Sequence, residues 1–144
     1  MTERLVNLLK SVIEIELSAS IRYLWQYVTL EQAADPDLRA TFEKSSIEKL
    51  KRVMVLGERL FSLEGVPATQ LAPVNIGSSL REMIELDLKA ENGAISKYKE
   101  IIGVAKEEED RDTQSLCEKI LAEEEQLKHI LMCERGRLHT KLIK

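Results

Sequence analysis

At 144 residues, with 32% charged and 44% hydrophobic side chains, the chain has the size of one domain and is long enough to bury a substantial core. Its net charge of -4 provides no basic field for phosphate backbones or anionic lipid, and no apolar run approaches the roughly 20 residues of a membrane span, so neither nucleic acid nor a membrane is expected as a partner. The amino-terminal MTERLVNLLK carries an acid and no cleavage-site pattern, and the two cysteines, Cys117 and Cys133, are too few and too far apart for a disulfide framework, which together point to a cytoplasmic protein with free thiols.

In chain order, Thr2 can cap a first helix over about 3–34, with Glu3 as the acid in its first turn. Asp35-Pro36 ends that helix and opens a second over about 36–64, which stops before Gly65. The segment GVPATQLAPVNIG (65–77) is the one long connection. After it, Ser78 or Ser79 can cap a third helix over about 79–106, the acidic KEEEDRD stretch makes a turn, and Thr113 opens a fourth over about 113–142. The expected fold is all-α: two antiparallel hairpins joined by a long crossover, in contrast to the short loops of simple bundles.

Apolar residues recur at alternating steps of three and four, the spacing that turns one face of each helix into a common seam. The stripes are Leu5, Leu9, Val12, Glu16, Ala19, Tyr23, Gln26, Leu30; then Phe42, Ser46, Lys49, Val53, Leu56, Leu60, Leu63; then Leu80, Ile84, Asp87, Glu91, Ala94, Tyr98, Ile101, Ala105; then Cys117, Ile120, Glu124, Leu127, Leu131. Near its middle each stripe is interrupted by a charge, at Glu16, Lys49, Glu91 and Glu124. Burying an isolated carboxylate costs several kcal/mol, so three of them facing inward must be protonated, paired or bound to a cation. The spacing Glu-x6-Tyr occurs twice, from Glu16 to Tyr23 and from Glu91 to Tyr98, which implies a polar centre with pseudo-twofold symmetry.

The runs ELSASIRYLWQY (16–27), GERLFSLEGVP (57–67), IGSSLREMIELDLKAENGAI (76–95) and ILAEEEQLKHIL (120–131) resemble the helices of bacterioferritin, a family of the ferritin-like superfamily. The resemblance spans almost the whole chain and implies a ferritin-like left-handed four-helix bundle with a di-iron centre. Such centres take one Glu from each of two helices and a Glu-x-x-His pair from each of the other two. Carried over position by position, Glu16 and Glu91 match the family's terminal ligands and Glu124 a bridging carboxylate, with Tyr23 and Tyr98 beside them. The remaining ligand positions fall on Lys49, Arg52 and Leu127, so three of six are replaced. A protonated lysine has no acceptor lone pair and competes with a metal for the carboxylates.

Three readings of the centre follow: an ion cluster with no ligand, one divalent metal ion on three carboxylates, or iron held well enough for ferroxidase or storage chemistry. The first is preferred, which makes the chain a non-catalytic, bacterioferritin-like subunit or scaffold and not an enzyme. No haem is expected, because the family's haem methionine aligns with Leu50 and the nearby Met54 reads as packing. His129 and His139 lie off the fourth stripe and read as surface residues. The chain stops before the short fifth helix of the family's cages, so the expected assembly is a homodimer through the first two helices, with Trp25 and Tyr27 at its interface. Co-assembly with an active relative is the further partner expected.

Overall fold

The computed structural model describes residues 2–31 and 34–143, with side-chain surroundings for 3–31 and 34–140. Four helices follow one another: α1 (Thr2–Thr29), α2 (Pro36–Ser62), α3 (Leu80–Glu107) and α4 (Arg111–Ile143). The expected Thr2 cap lies outside the described side chains. Cross-helix contacts fix the directions. Ser46 on α2 donates to the Ser20 carbonyl on α1, Tyr23 on α1 reaches Glu91 on α3, and Arg59 on α2 reaches Asp110 before α4. Each adjacent pair is antiparallel, so the helices run up, down, down and up. Because α2 and α3 run the same way, residues 63–79 must travel the length of the bundle. A helix the length of α2 spans about 40 Å, within reach of an extended segment of that size. Gln26 Nε2 donates to the Ile76 carbonyl at 3.0 Å and ties the crossover down.

The helix ends differ from expectation in ways that caps explain. The first helix stops at Thr29, five residues before Ala34. Leu30 turns inward onto Leu38 and Phe42, and Arg39 takes its carbonyl at 3.2 Å. Asp35 caps α2 by accepting from the Leu38 amide at 3.1 Å, with Pro36 in the first turn. At the other end of α2 the left-handed residue is Glu64 (φ 63°), while Gly65 is needed for space, since a Cβ there would strike the Leu60 side chain. Ser79, one of the two serines expected, caps α3 through the Glu82 amide at 3.2 Å; Ser78 bonds the Glu82 carboxylate. Thr113 does not open α4. Asp110 accepts from both the amide and the hydroxyl of Thr113, at 3.0 and 2.6 Å, and the helix begins at Arg111.

Two apolar clusters fill the interior. One gathers Leu5, Leu9, Val12, Leu56, Leu60, Ile101 and Ile120; the other gathers Tyr23, Leu30, Phe42, Ile84, Leu88 and Leu131. The charged residues of the four stripes lie between them, so the bundle is divided by an ionic layer. Every member of the α1 stripe is buried. On α2 the buried face is Ser45, Lys49, Arg52 and Leu56, one position before the expected Ser46 and Val53 at two turns. No helix among the described residues is long and apolar enough to cross a membrane.

Candidate functional site

α1, α3 and α4 each bring one acid into the ionic layer and α2 brings Lys49 and Arg52, so an ammonium sits among the acids. Lys49 Nζ lies 3.2 Å from Glu16 Oε1, 3.0 Å from Glu91 Oε1, and 2.6 and 2.7 Å from the two Glu124 oxygens. All four residues are at most 1% exposed, so no solvent screens the charges. Arg52, one turn along α2, reaches Glu124 Oε1 at 3.2 Å and Glu16 Oε2 at 3.7 Å, and Glu123 at the surface at 3.4 Å. Glu48, the residue before Lys49, is turned away from the layer and pairs with Lys44 at 3.9 Å.

The tyrosines cross between helices. Tyr23 donates to Glu91 Oε1 at 2.8 Å, while Tyr98, its counterpart, is buried with no protein partner for its hydroxyl among the described residues. Glu16 Oε2, ion-paired with Arg52 at 3.7 Å, and Arg52 Nε likewise make no hydrogen bond among the described residues. Leu127 on α4 is half-buried and packs on the second apolar cluster.

The charges explain the titration. Burial alone would lower the Lys49 pKa, but Glu16, Glu91 and Glu124 together outweigh it and raise it, so the amine is an ammonium. Burial pushes Glu91 up to about 7, against the pull of Lys49 and reinforced by Glu124. Three carboxylates facing two cations leave one negative charge in excess, and a proton on Glu91 removes it. Burial raises both tyrosine hydroxyls well above their ordinary range, which keeps them neutral.

A second polar layer, one turn from the first, escaped the sequence reading. Arg22 Nε donates to Asp87 Oδ1 at 2.8 Å, with Asp87 fully buried. Its signal was present: Asp87 lies in the α3 stripe and needs a cation, and Arg22 directly precedes Tyr23 on α1. Burial pushes Asp87 up to about 6 despite the guanidinium.

Other candidates lie outside the layer. Leu50 and Met54 are exposed, as are His129 and His139, and Cys133 approaches His129 Nε2 at 3.7 Å on the α4 surface. Cys117 is buried, its thiol pushed up to about 12 by burial. Trp25 is 49% exposed, whereas Tyr27 is covered by the Arg39 guanidinium, 4.2 Å above its ring. Among the described residues, no group of three or more His, Cys, Asp or Glu side chains is arranged to hold a metal ion. An ion bound to Glu16, Glu91 and Glu124 would have to displace the Lys49 ammonium from its contacts with all three.

Two outcomes follow from this geometry. Lys49→Met leaves three buried carboxylates without their central cation and lowers the unfolding free energy by about 3–5 kcal/mol, read by urea denaturation at pH 7. A loss below about 1 kcal/mol would show that the ammonium is not needed. Folded Glu91 holds its proton to about pH 7, whereas an unfolded glutamate releases it near about 4.3, so its contribution is full below that value and is lost as pH rises to 7. Glu91→Gln therefore flattens the fall in stability across this window and leaves the smaller part due to Asp87 up to about 6. An unchanged slope in the variant would assign the titration to other groups.

The sequence matches the Ferritin family, described as a ferritin-like domain, over residues 6–136. It is 29% identical to the bacterioferritin of Brucella melitensis biotype 1 over 123 residues, 85% of this chain and 76% of that protein. It is 29% identical to the bacterioferritin of Mycolicibacterium paratuberculosis over 126 residues, 87% of this chain and 78% of the other. The bacterioferritin of Desulfovibrio desulfuricans is 27% identical over 139 residues, 96% of this chain and 76% of that protein. With four helices in up-down-down-up order and bacterioferritins as relatives over most of its length, the chain belongs to the ferritin-like superfamily.

Proposed function

We propose that this chain is a cytoplasmic, bacterioferritin-like protein whose di-iron centre has been replaced by an ion cluster, and that it acts as a non-catalytic subunit or scaffold. The observation that carries this is the position of Lys49 Nζ, within 3.2 Å of all three inward carboxylates. A metal ion and an ammonium cannot share that point, because both are cations seeking the same oxygens. A di-iron site also needs nitrogen donors that this layer lacks, since Arg52 and Leu127 stand at the histidine positions. The Arg52 guanidinium is always protonated and supplies a second fixed cation. With Lys49, Arg52 and a proton on Glu91, the layer is neutral without metal.

The chain pairs with a second copy, or with an active relative, through the outer faces of α1 and α2. Leu24, Trp25 and Val28 on α1, with Ile47, Leu50 and Met54 on α2, are each 43–58% exposed on neighbouring helices. An apolar surface of this extent favours a protein partner.

Elemental analysis after anaerobic iron addition and desalting tests the centre. The wild type keeps less than about 0.1 iron per chain, while the variant Lys49→Glu, Arg52→His, Leu127→His, with the family's ligand types restored, gains up to about two. Two irons on the wild type would restore the ferroxidase or storage reading. Sedimentation of the same wild-type sample is expected to give two chains per particle, and one for Trp25→Glu. A monomeric wild type would remove the homodimer.

A further inference from the structure

We propose that His129 and Cys133 form a two-donor site for a zinc-class metal ion on the outer face of α4. The site lies apart from the ionic layer and does not depend on what that layer holds. Cys133 Sγ is 3.7 Å from His129 Nε2, and both residues are exposed. They are four residues apart, so they sit one above the other on the same helix face. Leu131, midway between them, is fully buried and turns that face away from the core. The helix therefore holds the two donors in register with one side open to solvent.

The distance between the donors fits a shared ion. A tetrahedral zinc ion binds sulfur at about 2.3 Å and imidazole nitrogen at about 2.0 Å, which sets those two atoms about 3.5 Å apart. The observed separation exceeds that span by about 0.2 Å, so small side-chain rotations seat an ion between them. Among the described residues each of the two side chains is the other's polar partner, so an ion displaces no further contact.

The donor types select the ion. A thiolate and an imidazole favour zinc or copper(I) over magnesium and calcium, which take oxygen ligands. Iron(II) stands below zinc in affinity for such donors, so this is not a second iron site. Binding replaces the sulfur–hydrogen bond with a sulfur–metal bond and releases the proton to solvent. Two positions of the tetrahedron are left for water, the open arrangement that surface donors allow.

Zinc is the probe, measured by equilibrium dialysis of the reduced full chain, with thermal unfolding as a second readout. About one zinc ion per chain is expected, undisplaced by excess magnesium, together with a rise in the unfolding midpoint. Cys133→Ser and His129→Ala are each expected to weaken zinc by about tenfold or more. Both positions are exposed, so the metal-free midpoint is expected to stay at the wild-type value. Lys128→His combined with His129→Gln keeps both donor types but moves the imidazole off the Cys133 face, and is expected to lose as much affinity as His129→Ala. Wild-type affinity in that variant or in His129→Ala would mean that the thiol acts alone, which overturns the pair. Wild-type affinity in Cys133→Ser would place the zinc elsewhere on the chain and overturn the assignment. The absence of saturable zinc binding would reduce the contact to a sulfur–nitrogen hydrogen bond. One zinc ion per two chains, with association of the chains, would overturn the single-chain site.

Discussion

A carboxylate in the middle of a helical bundle must be met by positive charge or take up a proton, and this chain sets three of them around one point. The rest of the interior is arranged about that requirement. Lys49 spans from α2 into the space among α1, α3 and α4, touching an acid on each. Because three of its partners come from three different helices, the ammonium ties the register of the whole bundle. The two apolar clusters lie on either side of this layer and exclude the water that would otherwise screen it. A buried ion cluster of this kind is weak evidence for stability relative to an apolar core, but removing one member is costly.

Much of the fold was legible because its signals are local and redundant. The α1 stripe repeats over eight positions, and one misplaced residue would not have hidden it. The crossover was visible in its prolines and glycines. Less legible were features in which a side chain chooses between two local roles. Thr113 is a good cap by residue type, yet Asp110 takes the role because its carboxylate can accept from both the amide and the hydroxyl of Thr113. The α2 stripe slipped at two turns because a one-residue-per-turn seam omits the neighbours that a wide buried face includes. Arg52 therefore lay outside the stripe by periodicity and entered the site only through the resemblance.

The same distinction holds for the site. Glu16, Lys49, Glu91 and Glu124 stood out because a charge inside an apolar stripe demands a partner, and the structure brings these four together. Arg22 was passed over because arginine beside a buried tyrosine is ordinary on an amphipathic helix. Its importance comes from Asp87, 65 residues away, and no local pattern carries that pairing. Tyr23 reaches the Glu of α3 and not the Glu of its own helix, a crossing that the repeated Glu-x6-Tyr spacing could not specify.

The centre also links the family to the function we propose. Relatives called bacterioferritin share most of this chain's length, so the backbone that positions the acids is common property. In this chain the cation that those acids face is the Lys49 ammonium, with Arg52 beside it. The most direct measurement is a nitrogen-15 NMR spectrum of the lysine side chains, recorded at neutral pH before and after anaerobic ferrous iron. A slowly exchanging Lys49 ammonium signal is expected, correlated to Glu16, Glu91 and Glu124 and unmoved by iron. Loss or displacement of that signal when iron is added would contradict it, because the metal would then be taking the place assigned to the ammonium.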